Sequence, residues 1–153
     1  EADRRTDDQI EQAALKTWRE SKPAFLLIHY IAPDSMAHGF GAVSAQYRQT
    51  AQDVDARLGR LLKEVDLSAT TLLFTADHGH INSGGHAGTE PEGLNVPFVA
   101  AGKGIKPGQY SPAPQADIAP TVATLLGSCS GLVAAFWRLL GAARFLGRCA
   151  GAF

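Results

Sequence analysis

The sequence predicts an α/β fold in which a mostly parallel sheet is sandwiched by helices, and three observations support this. Apolar stretches of strand length alternate with amphipathic helical patterns along the chain. Two of these stretches run directly into acidic residues and histidines. All five histidines lie between positions 29 and 86. Because ligands of open α/β sheets bind just outside the carboxyl ends of strands, we expect one shared site there.

The first third of the chain contains a predicted helix, strand and turn. Residues 7–20 repeat apolar side chains at a helical period, and Pro23 ends that helix. A strand is predicted over residues 25–31. Gly39 and Gly41 then allow a tight turn after the first Asp/His cluster.

The remaining elements continue the alternation. A second helix is predicted over residues 44–65, with Ser44 as its N-cap. Pro97 indicates that the last strand begins late or lies at an edge. Asp117 is the predicted N-cap of the last helix. The two further strands and the third helix are predicted over residues 71–75, 95–101 and 117–126.

Length and composition fit one globular domain. The chain has 153 residues, of which 45% are hydrophobic and 19% charged. Its formal net charge of -1 gives no long-range attraction for nucleic acid, so no nucleic-acid-binding surface is expected. Cys129 and Cys149 do not establish a disulfide framework or a redox compartment. Because the chain opens with Glu1 inside a polar stretch, we expect it to be cut from something longer.

The composition changes near residue 127, which predicts a boundary between residues 1–127 and a tail at 128–153. No acidic residue follows Asp117, and the tail is rich in Ala, Gly and Arg. The uncharged run 118–137 is long enough to span a bilayer, but it contains Pro120 and several small polar residues. A basic amphipathic helix that lies on a membrane or on the rest of the protein is therefore preferred to a transmembrane helix, and a non-native tail is a further alternative.

The Asp/His clusters have the residue types that bind divalent metal. Asp34, His38 and His86 can supply three ligands to one ion, and Asp77 and His78 can supply two to another. Imidazole ligands favour zinc over calcium, with manganese or iron as substitutes. Two such ions can hold the attacking and leaving oxygens of a displacement at phosphorus.

Each of these residues also has a structural interpretation when taken alone. Asp34 follows Pro33 and is a natural turn residue, and His86 can be a solvated side chain of a glycine loop. His29 lies in an apolar stretch, so we expect a packed core histidine. For His80 we prefer a supporting role behind the ligands to simple exposure to solvent.

The motifs resemble those of the alkaline phosphatase superfamily, most closely its type I phosphodiesterase/nucleotide pyrophosphatase branch. Residues 33–41 resemble that branch's Pro-Asp…Gly-His-x-x-Gly motif, with Ala37 where glycine usually precedes the histidine. That change is tolerated if the φ angle of Ala37 is negative. The other matching elements, in family order, are the helix around residues 47–62, Thr75-Ala76-Asp77-His78-Gly79, Gly85-His86-Ala87-Gly88, residues 96–99 and residues 117–127.

The resemblance implies that residues 1–127 are the C-terminal half of a metallohydrolase catalytic domain. It implies two zinc ions, one on Asp34, His38 and His86 and one on Asp77 and His78. It also implies a covalent phospho-enzyme on a threonine or serine and a small phosphate diester or monoester as substrate. In the family the nucleophile precedes everything seen here, so we expect this fragment to be inactive alone. By the same analogy, its location is extracytoplasmic or membrane-associated.

Several other functions stay open at this point. A sulfatase-like enzyme of the same superfamily would need a Cys-x-Pro-x-Arg motif, which this sequence does not contain. Phosphoglycerate mutase-like enzymes share the Asp-His-Gly element but fit residues 34–41 less well. A non-catalytic metal-binding remnant and a flavodoxin-like domain with incidental histidines are the remaining alternatives.

Overall fold

The first helix, α1 (Asp7–Ser21), confirms the helix predicted near the N-terminus. Its first turn is closed by a capping box, in which the Thr6 hydroxyl accepts from the Gln9 N–H and the Gln9 side chain accepts from the Thr6 N–H. Lys22 ends the helix in the left-handed conformation, with φ of 42°, immediately before Pro23.

The computed structural model describes residues 6–86 and 88–127. The chain divides into two compact units, Glu1–Lys103 and Gly104–Phe153. The tail predicted at 128–153 lies outside the described residues, so its boundary and its membrane association stay predictions. Within the described ranges, no helix is both long and apolar enough to cross a bilayer.

Helix α3 (Ala45–Leu62) packs with α1 through ionic contacts. It begins where predicted, because the Ser44 hydroxyl accepts from the Tyr47 N–H at 3.1 Å. The buried Glu11 carboxylate of α1 accepts from Arg57 at 2.5 Å and from Arg60 at 2.6 Å. A second pair, Arg19 with Glu64 at 2.7 Å, joins the other ends of the same two segments. These contacts fix α1 against α3.

The prediction of a strand over residues 25–31 is wrong. The segment forms no ladder with another strand, although its side chains alternate between exposed and half-buried positions. Its apolar side chains and those of α1 line a cavity of about 320 Å³ instead. A strand requires a partner for its backbone groups, and no described segment provides one here.

The sheet has two strands, β1 (Thr71–Thr75) and β2 (Phe98–Gly102), and they are antiparallel. Thr71 lies opposite Gly102, and Thr75 lies opposite Phe98. The expected parallel sheet sandwiched by helices is therefore not found among residues 6–86 and 88–127. The connection between the two strands runs over residues 76–97 and contains the short helix α4 (Pro91–Leu94). The arrangement is a mixture of helices and a small antiparallel sheet.

Two further helices complete the description. Helix α2 (Ala32–Phe40) carries the first Asp/His cluster, for which no helix was predicted, and it ends at Gly41, where the turn was predicted. In the second unit a 3-10 turn (Gln115–Asp117) leads into α5 (Ile118–Leu125). Asp117 occupies the N-cap position of α5 as predicted, but its side chain makes no capping hydrogen bond and its backbone is already helical.

Candidate metal centre

Helix α2 places Asp34 and His38 one turn apart on the same face. Pro33 in the first turn favours the start of a helix, because proline lacks the N–H that would be unsatisfied there. Residues four positions apart are neighbours on a helix, and the His38 Nε2 lies 3.5 Å from the Asp34 Oδ1. Ala37 is fully buried inside this helix and has no positive φ, so its replacement of the family's glycine is tolerated as expected.

The start of α2 is held by a side chain from α1. The buried Asp7 carboxylate accepts hydrogen bonds from the backbone N–H of Ile31 at 2.9 Å and of Ala32 at 3.3 Å. The residue at the N-cap position, Ile31, has no side chain that can satisfy these donors. Asp7 therefore replaces the missing cap and anchors the helix that carries Asp34.

The second cluster lies in residues 76–86, which we call the histidine loop. This loop leaves β1 and is fixed by backbone hydrogen bonds: Gly79 N–H donates to the Gly93 carbonyl at 2.9 Å, and Ile81 N–H donates to the Gly85 carbonyl at 3.1 Å. Asp77, His78, His80 and His86 are thus presented by a braced loop.

Two glycines allow the histidine loop to approach α2. Gly41 ends α2 with φ of 85°, and a Cβ atom placed there would lie 2.6 Å from the Asn82 carbonyl oxygen. Gly84 has φ of 91°, and a Cβ atom there would overlap the Ala37 carbonyl oxygen. Larger residues would separate the two elements that carry the site.

One carboxylate oxygen lies at the centre of four imidazoles. The Oδ1 of Asp34 is 3.0 Å from the Nε2 of His80, 3.5 Å from that of His38, 3.7 Å from that of His86 and 3.8 Å from that of His78. The rings of His78 and His86 are stacked, with centroids 3.7 Å apart. Five polar side chains from two segments therefore converge on one point.

The hydrogen bond of His78 determines its tautomer. Its Nδ1 lies 3.2 Å from the Gly79 carbonyl oxygen, which can only accept, so Nδ1 carries the proton. The Nε2 lone pair of neutral His78 is consequently directed to the site, which is the state that a metal ligand requires.

Asp77 and His29 lie at the edge of the cluster. The Asp77 Oδ2 is 3.7 Å from the Nε2 of His78 and 3.7 Å from that of His29. The expectation that His29 is a packed core residue is wrong, because 64% of its side chain is exposed. Its apolar neighbours in sequence are themselves half exposed along the unpaired segment 25–31.

The ligand atoms fit two sets of three. In one set Asp34 is grouped with His38 and His80, and in the other with His78 and His86, and the ligand atoms of each set lie within 4.8 Å of one another. Carboxylate oxygen and imidazole nitrogen are ligands that suit zinc, so the donor types fit such an ion. The predicted division, with Asp77 and His78 on a second ion, stays a prediction.

The chain is similar to enzymes named for ethanolamine phosphate transfer. It is 31% identical over 104 residues to GPI ethanolamine phosphate transferase 1 of Candida glabrata, covering 65% of this chain and 11% of that protein. It is 26% identical over 128 residues to GPI ethanolamine phosphate transferase 3 of Schizosaccharomyces pombe, covering 80% of this chain and 14% of that protein. The chain thus spans 11% and 14% of the length of these two relatives. No solved structure is significantly similar.

The family comparison covers the whole candidate centre. The family described as type I phosphodiesterase / nucleotide pyrophosphatase matches residues 1–88, which include Asp34, the other four predicted ligands and His80. The names of the family and of these relatives both refer to enzymes that act on phosphoesters. The chain belongs to the type I phosphodiesterase / nucleotide pyrophosphatase family of the alkaline phosphatase superfamily.

Proposed function

We propose that this chain supplies the metal centre of an enzyme that transfers or hydrolyses phosphoesters with two divalent ions. The observation that carries the proposal is the position of one Asp34 oxygen within 3.0–3.8 Å of four imidazole nitrogens. Such a convergence of imidazole nitrogens on a carboxylate oxygen favours zinc, with manganese or iron as substitutes.

The residues proposed to hold the ions are those that the sequence indicated. Asp34, His38 and His86 would hold one ion, and Asp77 with His78 would contribute to the other. When bound, such ions stabilise charge on the attacking and leaving oxygens at phosphorus. The chain's own contribution is to keep the donors aligned, through the Asp7 anchor of α2 and the His78–Gly79 hydrogen bond.

We place the nucleophile of the covalent phospho-enzyme outside the described residues. Thr75 is the hydroxyl nearest in sequence to Asp77, but its Oγ1 donates to the Pro97 carbonyl at 2.9 Å and so supports the β1–β2 pairing. Ser35 and Ser83 are further hydroxyls close in sequence to the clusters, and neither corresponds to the position from which the family attacks.

The substrate class that we propose is a phosphodiester or monoester of a small amino alcohol. The relatives in two yeasts are named as GPI ethanolamine phosphate transferases, which favours ethanolamine phosphate as the transferred group and a lipid-linked acceptor. Transfer and hydrolysis use the same centre and differ in the acceptor, which is an alcohol oxygen in the first and water in the second. A membrane-linked substrate would be consistent with the association proposed for the tail.

Ligand binding to the zinc-loaded chain tests this proposal without requiring the nucleophile. Calorimetric titration with ethanolamine phosphate should show binding to the zinc-loaded chain and none to the metal-free chain or to Asp34→Asn. Ethanolamine without phosphate is the matched control and should not bind, because it lacks the anionic oxygens that the ions attract.

Three outcomes would contradict parts of the proposal. If ethanolamine phosphate bound equally well with and without zinc, the metal would have no part in recognising phosphate. Binding of sulfate in preference to phosphate would favour the sulfatase alternative. Zinc uptake with no affinity for either anion would favour a non-catalytic metal-binding remnant.

A further inference from the structure

His80 differs from the other site histidines in its burial. Only 4% of its side chain is exposed, whereas the side chains of His38, His78 and His86 are partly open to solvent. The backbone on both sides is fixed, since Gly79 donates to Gly93 and Ile81 donates to Gly85. The ring is therefore buried at the back of the centre, on a segment held by backbone hydrogen bonds.

The two ring nitrogens of His80 have different surroundings. Nε2 lies 3.0 Å from the Asp34 Oδ1, and an ionised carboxylate can only accept, so Nε2 is the donor. Nδ1 is buried and has no hydrogen-bond partner among the described residues. The nitrogen that faces the site thus carries a proton and has no lone pair to offer an ion.

We propose that His80 is a positioning residue, which orients the Asp34 carboxylate toward a bound metal ion through the Nε2–H···Oδ1 hydrogen bond. This inference rests on the metal centre of the proposed function and adds a role that the two-ion ligand set does not contain. The Asp34 side chain is 40% exposed, so its carboxylate needs a partner to select one rotamer. Metal-bound carboxylates are commonly held in this way, and loss of the partner weakens metal binding about 10- to 100-fold.

Three substitutions separate this role from packing and from direct ligation. The amide nitrogen of glutamine reaches about as far as histidine Nε2, whereas that of asparagine reaches only as far as Nδ1. Phenylalanine keeps a ring of similar size without any donor. In the 153-residue chain, zinc affinity is measured by competition with a chelator, and folding is followed by circular dichroism. The coordination of the ion is followed through the visible absorption of the Co²⁺-loaded protein.

The proposal predicts that His80→Gln keeps zinc affinity within about twofold and leaves the Co²⁺ spectrum unchanged. His80→Asn and His80→Phe should each weaken zinc binding about 10- to 100-fold while keeping the helical signal. Wild-type affinity in a folded His80→Phe protein would overturn the proposal. An altered Co²⁺ spectrum in His80→Gln, with weak binding, would also overturn it, by making His80 a ligand. Absence of zinc binding by the wild-type chain would instead contradict the proposed function on which it rests.

Discussion

Gly84 of the histidine loop lies directly against the backbone of Ala37 in α2, so closely that a Cβ atom on Gly84 would overlap the Ala37 carbonyl oxygen. This contact joins the helix that carries Asp34 and His38 to the loop that carries the other histidines. The metal centre therefore depends on an approach of two backbones as well as on its ligands.

Replacing Gly84 by alanine should destabilise the chain and weaken zinc binding. Gly85→Ala is a matched control, because both glycines have positive φ, 91° and 94°, but nothing lies within 4 Å of a Cβ atom on Gly85. Both substitutions place alanine at a positive φ angle, which glycine adopts more readily. Only Gly84→Ala adds the steric overlap, which should lower the free energy of unfolding by about 1–3 kcal/mol more than Gly85→Ala does. Urea denaturation measures this difference, and equal free energies of unfolding would argue against the close contact.

Asp7 should contribute to stability and to the metal centre through the start of α2. Asp7→Ala removes the acceptor for the Ile31 and Ala32 N–H groups and should lower the free energy of unfolding by about 1–2 kcal/mol. Asp7→Asn keeps a side-chain oxygen acceptor and should retain most of that stability. Glu20→Ala, at an exposed position of the same helix, is the control. If Asp7→Ala is as stable as Glu20→Ala, the anchor is unimportant.

Stability should fall at acid pH because of Glu11. The hydrogen bond from Arg60, and then that from Arg57, hold the pKa of Glu11 below its ordinary value of 4.5, against the opposing effect of burial. A lowered pKa in the folded state means that the stabilisation is fully present above pH 4.5 and is lost as pH falls through the folded pKa. Glu11→Gln should therefore be less stable near neutral pH by about 1–3 kcal/mol and should show a flatter pH dependence below pH 4.5. Thermal unfolding across this pH range tests both effects. If Glu11→Gln loses stability below pH 4.5 as steeply as wild type does, other carboxylates cause that loss.

The histidines should differ sharply in their importance for metal binding. His78→Gln removes a nitrogen whose lone pair faces the site, and zinc affinity should fall by more than about 100-fold, beyond the loss typical of a supporting residue. His29→Gln should change it less than about twofold, because His29 contacts only the edge carboxylate of Asp77 in the described site. Equal losses in the two variants would indicate that binding depends on the overall charge of the cluster rather than on these positions.

The helices that local signals define were predicted from the sequence. Apolar spacing, together with Pro23 and the Ser44 cap, gave α1 and α3 to within a few residues. Helix α2 was not predicted, although the four-residue spacing of Asp34 and His38 and the position of Pro33 are both helical signals. The apolar run 25–31 before them was interpreted as a strand, and Gly39 and Gly41 after them as a turn.

Features that depend on distant partners could not be predicted in the same way. Residues 25–31 have the composition of a strand, but pairing depends on another segment at the right distance. The exposure of His29 follows from that missing partner. The contact of His80 with Asp34 joins residues that are 46 positions apart along the chain. The convergence of the Asp/His clusters was expected at the carboxyl ends of two parallel strands, whereas the observed elements that carry these residues are α2 and the histidine loop.

The most direct test of the central claim is the zinc content of the chain after equilibrium dialysis, measured by elemental analysis for wild type and Asp34→Asn. Asparagine keeps the shape of aspartate and removes the charge to which the four imidazoles converge. The account predicts at least one tightly held zinc ion in the wild-type chain and loss of that ion in a folded Asp34→Asn chain. A wild-type chain without zinc, or an Asp34→Asn chain that retains as much as wild type, would contradict it.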